Sequence, residues 1–224
     1  LSTDSSIITL QGDEFHHLSR VRRSKVGELI RLNSGKGYLA EAKIISIGKI
    51  SSELEIIQTS TPDPSLPHYA IAFALLKNHH DELAVEKCTE LGTREFFPFT
   101  SEYSVRNEGK HTVSRFARIA LAAIKQCDNP YLPQVHPILP LEAAVAKIRE
   151  KGYLPVFCSE VERVTMLKDI NSTVPPCFII GPEGGFSETD LIALQDVKSI
   201  KLLSLICRAE TAAIAVSAQF AGSI

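Results

Sequence analysis

The hydrophobic rhythm of the chain changes near residue 67. Before it, apolar positions come singly or in partial alternation. "ELIRLN" (28–33) and "LAEAKI" (39–44) alternate with polar residues, and "SSELEIIQ" (51–58) does so more loosely. Alternation marks a strand with one buried and one wet face, so this stretch predicts short strands in a small barrel or sandwich. "NSGKG" (33–37) supplies the turn between the first two, and "GDEFHHL" (12–18) predicts a short helix ahead of them with Asp13 as its cap. Beyond residue 67 the apolar runs are nearly continuous: "YAIAFALL", "EFFPFT", "YLPVF", "CFII" and "SIKLL". They alternate with the helical stretches "DELAVEKCTELG", "VSRFARIALAAIKQC", "LEAAVAKIRE", "SETDLIALQ" and "AETAAIAVSAQF". Continuous runs belong to strands covered on both faces, hence a parallel sheet with crossover helices. Between the two regimes, "TPDPSLP" (61–67) places three prolines in seven positions and predicts a linker. The expected domains are therefore residues 1–66, mostly β, and 67–224, α/β.

Composition narrows the picture only slightly. A chain of 224 residues with 44% hydrophobic and 22% charged residues suits an ordinary globular protein with a sizeable core. No apolar run approaches the roughly 20 residues that cross a bilayer, and Leu1-Ser2-Thr3-Asp4 carries no basic leader, so a cytoplasmic protein with no membrane contact is expected. Cys88, Cys127, Cys158, Cys177 and Cys207 are odd in number, widely spaced and never in C-x-x-C, which predicts reduced core thiols and neither disulfides nor zinc. The adjacent pairs His16-His17 and His79-His80 lack the spacing of metal ligands; they read as surface or polar-contact histidines, with a ligand contact at His79 or His80 as the alternative. No metal is expected. The net charge of −2 is uneven: residues 16–49 hold Arg20, Arg22, Arg23, Lys25, Arg31, Lys36, Lys43 and Lys49 against Glu28 and Glu41, eight basic to two acidic, a local +6. This segment is either a polyanion-binding surface or a solvated face.

The stretch "FIIGPEGGFSETD" (178–190) joins a buried strand to a helix through a loop that neither element would tolerate. Ser187 reads as the helix N-cap, with a carboxylate three residues on at Asp190. Loops at the carboxyl ends of parallel strands are where α/β sheets bind small ligands, and glycine lets the backbone come close. Neither a P-loop nor a dinucleotide fingerprint is present, and Glu183 would repel a pyrophosphate. A ligand neutral or cationic at this point fits better, and S-adenosylmethionine, a sulfonium, has that charge. A G-x-S-x-G hydrolase elbow is absent as well.

The final stretch, "KLLSLICRAETAAIAVSAQF", runs from an apolar strand through Arg208-Ala209-Glu210-Thr211 into an alanine-rich helix. With "IGPEGGFSE" ahead of "RAETAA", "EKCTELG" followed by "PF" and "SEYSV", and the basic N-terminal "HHLSRVRRSKVGELIRLNSGKGYLAEAKI", nearly the whole chain resembles the RsmE family of 16S rRNA uridine-N3 methyltransferases, of the SPOUT class. The resemblance implies a PUA-like RNA-binding β-barrel followed by a trefoil-knotted α/β domain, with S-adenosylmethionine as cofactor. It implies 16S rRNA or the assembled 30S subunit as partner, and a homodimer. Its cofactor walls would be Ile180-Gly181-Pro182-Glu183-Gly184-Gly185, the strand end Phe157-Cys158-Ser159, and Leu202, Leu203, Leu205 and Ile206. Arg20, Arg22, Arg23, Lys25, Arg31 and Lys36 would hold RNA. The chain departs from the family pattern where Leu203 replaces a glycine and Leu205 an arginine; Tyr103 and Asn129 also stand near positions where the family often has arginine.

Methylation of uracil N3 needs uptake of the imide proton and stabilisation of charge spreading to the ring oxygens. Arg208 suits the second task, because its planar donors match a carbonyl oxygen or a phosphate. For the first, Glu210, water or a residue of a partner subunit are the alternatives. Taken alone, Arg208 reads as a helix-terminus salt-bridge partner of Glu210 or a neighbour, and Glu210 as a first-turn carboxylate favoured by the helix dipole. Two other classes compete: a non-catalytic RNA-binding protein retaining the knotted fold, motivated by Leu203 and Leu205, and a nucleotide-binding α/β oxidoreductase, disfavoured by the missing fingerprint.

Overall fold

A computed structural model describes residues 7–63, 66–104, 109–170 and 172–223. The reading of residues 1–4 as free of a leader, the middle of the proline segment (64 and 65) and Val105 of "SEYSV" lie outside the described residues. The chain forms two compact units, Leu1–Pro64 and Ser65–Ile224.

The first unit contains β1 (Ile7–Gln11), α1 (Gly12–His16) continuing into a π-helical turn (His17–Val21), β2 (Leu29–Asn33), β3 (Leu39–Ile47) and β4 (Ser51–Ser60). The strands pair antiparallel in the order β1-β4-β3-β2. Their alternation buries Ile30, Ala42, Ile44 and Leu54, and Leu18 from the helical turn closes this core. The helix start differs from expectation. Gln11 is the N-cap residue and makes no side-chain cap, while Asp13 lies inside the first turn, where the helix dipole favours its charge.

In the second unit, β5 (Ala70–Ala74), β6 (Glu95–Thr100), β7 (Gln134–Val135), β8 (Leu139–Pro140), β9 (Leu154–Cys158), β10 (Pro176–Ile180) and β11 (Lys198–Ile200) form one sheet. Its order is β11-β9-β10-β5-β6-β7, β8 pairs with β6, and every pairing is parallel. The helices are α2 (His80–Glu90), α3 (Thr112–Cys127), α4 (Leu141–Glu150), α5 (Glu188–Ala193) and α6 (Ala209–Ala221). The continuous apolar run of β5 resolves into two faces. Tyr69, Ile71 and Phe73 pack with Val85 of α2, Phe116 of α3 and Val216 of α6, whereas Ala70, Ala72 and Ala74 pack with Val145 and Ile148 of α4. Large residues on one face and alanines on the other let helices cover both sides. Short β7 and β8 carry too few residues for a periodic signal, which is why the sequence pattern missed them. Among the described residues, no helix is long and apolar enough to cross a membrane.

Candidate active site

Because β11, β9, β10 and β5 are parallel neighbours, the chain leaves all four at the same end of the sheet. The segments that follow are 201–208, 159–166, 181–187 and 75–79. From this end start α2, α5 and α6.

The loop after β10 is built around its glycines. A Cβ on Gly181 would stand 2.5 Å from the Phe186 ring, so only glycine admits that ring. Gly185 has φ 76°, a conformation that L side chains resist, and nothing lies within 4 Å of where its Cβ would be. Gly184 lies against Tyr103, one of the two positions where the family often has arginine. The capping box is present: Asp190 N donates to Ser187 Oγ at 3.1 Å, and Ser187 N donates to Asp190 Oδ2 at 3.1 Å. Glu183 accepts a hydrogen bond from the Lys77 amide at 3.1 Å. Its carboxylate thus joins the loop to the end of β5.

The wall at the end of β9 is Phe157-Cys158-Ser159. Phe157 meets Phe186 edge-on with ring centroids 5.1 Å apart, and Ser159 N donates to Ile200 O at 2.9 Å. Burial pushes the Cys158 thiol up to about 12, so it stays protonated. Beside this wall opens a cleft of about 450 Å³, lined among others by Phe157, Ser159, Glu162, Leu191 and Ser199. Hydrogen bonds from the Val164 amide, the Ser199 hydroxyl and the Thr165 and Arg163 amides hold the Glu162 carboxyl down at about 2.

The third wall departs from expectation. "SIKLL" is a strand only through Ile200; Lys201 makes an isolated bridge to Met166, and its amide donates to Thr165 O at 2.7 Å. Leu202 is buried, but Leu203 is 37% exposed and Leu205 and Ile206 are each 81% exposed. An apolar run laid on the surface has no sheet partner to bury it.

At the start of α6, Arg208 is exposed and, among the described residues, makes no ion pair. The alternative of an Arg208–Glu210 bridge is not formed; instead His80 Nδ1 lies 3.0 Å from Glu210 Oε1. Glu210 is only 7% exposed, and its buried Oε2 has no hydrogen-bond partner among the described residues. Sequence reasoning placed His80 among surface or polar contacts. The segment "NHH" follows a buried strand and opens a helix just as "GPEGGFS" does. Asn78 and His79 take left-handed φ of 51° and 61° there. Asp81 Oδ2 accepts from the Leu76 amide at 3.3 Å, and Glu82 is held by His79 at 2.6 Å and Arg115 at 2.8 Å. His79, Asp81 and Glu82 bring ligand-type atoms within 4.8 Å of one another, but each already has a protein partner that accounts for its position.

In the first unit, Arg20, Arg22, Arg23, Lys25, Arg31 and Lys36 are all exposed. Arg22 lies 3.7 Å from Glu28, and Arg23 has φ 55°.

Residues 63–221 match the model of the RNA methyltransferase domain. The chain belongs to the RNA methyltransferase family. Residues 10–57 match the RNA methyltransferase PUA domain, so the antiparallel first unit and the mainly parallel α/β second unit agree with the expected fold class. Relatives named ribosomal RNA small subunit methyltransferase E match along most of this chain, in agreement with the RsmE resemblance. That of Mycobacterium bovis is 26% identical over 95% of this chain and 85% of its own length. That of Bacillus subtilis is 27% identical over 93% and 87%. The crystal structure of the Neisseria gonorrhoeae ribosomal RNA small subunit methyltransferase E bound to S-adenosyl methionine is 25% identical, with a TM-score of 0.82 over 95% of this chain and 90% of that one.

Proposed function

We propose that this methyltransferase moves a methyl group from S-adenosylmethionine to N3 of a uridine in 16S rRNA. The observation that carries the reading is one sheet end that holds a glycine loop, an exposed arginine that makes no ion pair among the described residues, and a buried carboxylate. The residues fit the cofactor. Gly185 leaves open backbone where a side chain would stand, Leu203, Leu205 and Ile206 offer apolar surface for an adenosyl group, and Glu183 is already engaged and does not oppose binding. Ile180 to Gly185, Phe157 to Ser159 and Leu202, Leu203, Leu205 and Ile206 would hold it, brought together by the knotted threading that the family resemblance implies. When bound, it supplies an electrophilic methyl: the nitrogen's electron pair forms the N–C bond as the C–S bond breaks with its pair left on sulfur.

The protein's own residues have two tasks. Arg208 donates to the uracil oxygens, where negative charge grows as the imide proton leaves. Glu210, in the first turn of α6, takes that proton.

The exposed cations Arg20, Arg22, Arg23, Lys25, Arg31 and Lys36 hold RNA phosphates. Changing Arg22 and Arg23 to Ala should weaken RNA binding and shrink the log–log salt slope by roughly 0.7 to 0.9 per contact removed, leaving cofactor affinity intact. The active form is a cytoplasmic homodimer, because Val161 and Val164 present apolar side chains that a second copy would cover. Light scattering at micromolar concentration tests this, and a monomer mass would refute it. The function itself is tested by mass mapping of rRNA in cells lacking the gene, with and without complementation, alongside calorimetric titration with S-adenosylmethionine. Loss and recovery of one methyluridine is expected. Absence of both methylation and micromolar cofactor binding would leave an RNA-binding protein without turnover.

A further inference from the structure

The loop that follows β9 turns around a single carboxylate. Glu162 Oε1 accepts from the Arg163 and Val164 amides, each at 2.8 Å, and from the Thr165 amide at 3.3 Å. Its Oε2 accepts from the Ser199 hydroxyl of β11 at 2.8 Å. We propose that Glu162 is a positioning residue for the cofactor: it folds the loop after β9 against β11 and so fixes where the wall Leu202–Ile206 begins. This rests on the methyltransferase reading above.

That wall needs an anchor. β11 is an edge strand paired with β9, and it ends at Ile200. Leu202 is buried, but Leu203, Leu205 and Ile206 carry their apolar side chains at the surface, where no packing holds them. What fixes their start is a pair of backbone bonds. Ser159 N donates to Ile200 O at 2.9 Å, and Lys201 N donates to Thr165 O at 2.7 Å beside the bridge from Lys201 to Met166. Thr165 is in place for that bond because its own amide ends on Glu162, and Ser199 draws the same carboxylate onto β11. From the other side, Ser159 Oγ accepts from the Val161 and Glu162 amides at 3.2 and 3.3 Å. One side chain thus ties the residues just after Phe157-Cys158-Ser159 to those just before Leu202. A carboxylate suits the task, since it only accepts and can hold several amide donors in strong charge-assisted bonds. Apolar packing does not do it here: Val161 and Val164 of the same loop are 79% and 81% exposed. The loop therefore adds little to the core, and what Glu162 orders is the approach of two cofactor walls. Walls ordered in advance spare the ligand that entropic cost.

The experiment compares Glu162→Ala, Glu162→Gln and Ser199→Ala with wild type in steady-state methylation of small-subunit rRNA. Calorimetry of S-adenosylmethionine binding, thermal melting and backbone amide exchange accompany it. Glu162→Ala should raise cofactor KM and Kd roughly 10-fold, while RNA KM and kcat at saturating cofactor stay at the wild-type level. Glu162→Gln should recover most of the affinity, because its carbonyl oxygen accepts the three amides and its NH2 donates to the Ser199 hydroxyl. Ser199→Ala cuts one tie, so it should give a smaller rise, and none beyond that of Glu162→Ala when the two are combined. Amide exchange reads the device without activity. The Lys201 amide should lose protection in Glu162→Ala, while those of Phe178 and Ile179 in β10 keep theirs. Unchanged cofactor constants in Glu162→Ala overturn the proposal, and so does a Lys201 amide that stays protected. A fall in kcat that follows melting temperature, a Gln variant without rescue, or independent addition of the Ser199 and Glu162 effects overturns it equally. A wild-type protein that binds no S-adenosylmethionine overturns the functional reading instead, and is told apart because it fails before any variant is made.

Discussion

The two ends of the parallel sheet are built by opposite rules. At the amino end, ionisable side chains close on one another. Glu95 at the start of β6 accepts from His136 and from the Tyr153 hydroxyl, and Tyr153 in turn meets His68 Nε2 at 3.3 Å. His136 also stacks on Phe97 with centroids 4.2 Å apart, and Arg94 lies 3.3 Å over the Tyr131 ring while its Nε donates to Pro67 O. At the carboxyl end, Arg208 is unpaired among the described residues, Glu210 Oε2 has no partner, and Asn78, His79 and Gly185 hold left-handed backbone. A satisfied network stabilises the fold and leaves nothing for a ligand, whereas unsatisfied groups on strained loops are available to one. The same sheet thus separates stability from chemistry along its strands.

The sharpest way to break that comparison is to exchange the consequences of a deletion at each end. Arg208→Ala should reduce methyl transfer by roughly 100-fold or more, as removal of a charge-stabilising donor does, with no change in melting temperature. His136→Ala should do the reverse. It leaves the Glu95 carboxylate half-buried without its main donor, a loss of roughly 2–4 kcal/mol of stability, while the turnover of folded protein stays at the wild-type level. Denaturant melts and single-turnover rates on both variants check the pair. A stability loss in the first, or a specific rate loss in the second, would dissolve the distinction.

Much of this was legible in the sequence because it follows from burial. The two-sided burial of β5 and β10, the boundaries of α4, and the Ser187–Asp190 cap all reflect local rules that the runs "YAIAFALL" and "CFII" and residues 141–150 and 187–190 state openly. What was not legible depended on contacts between distant segments. Nothing local says that His80 will meet Glu210, 130 residues later, or that Glu183 will turn to the Lys77 amide. The run "KLLSLI" looked like a strand because apolarity alone was counted; it lies on the surface because β11 has already ended at Ile200. The amino-end network was invisible for the same reason, since His68, Glu95, His136 and Tyr153 come from four separate stretches.

A smaller effect sharpens the carboxyl end. Gly185→Val puts a β-branched side chain at φ 76°, with a strain of roughly 1–2 kcal/mol. Because nothing lies within 4 Å of the new Cβ, the folded chain has room for it, and the loss should fall on the ligand that needs that room. Cofactor affinity should drop roughly tenfold or more with only a modest drop in melting temperature. Unchanged affinity would reduce the loop to a plain turn.

The smallest effect is a change of slope with pH, and it belongs to the amino end alone. Burial pushes the Glu95 carboxyl up, but the hydrogen bond and charge of His136, with Lys151 and Tyr153, outweigh it and hold the group below its ordinary value of 4.5. A carboxyl depressed in the folded state adds stability above its unfolded value, and that contribution is lost as pH falls through the folded one. His68 is lowered from 6.5 by burial and by Arg94, against the opposing pull of Glu95. The unfolded chain then takes up His68's proton first, so acidification below about 6.5 also destabilises. The two contributions act in the same direction but in different windows. Melting temperature should therefore fall in two stages, between neutral pH and the low folded value of His68, and again below 4.5. Glu95→Gln should be less stable than wild type at neutral pH, and the gap should close in the second stage, when the wild-type carboxyl becomes protonated. His68→Gln should flatten only the first stage. A gap in Glu95→Gln that stays constant down to pH 3 would mean that the network acts through packing, with no part played by its charge.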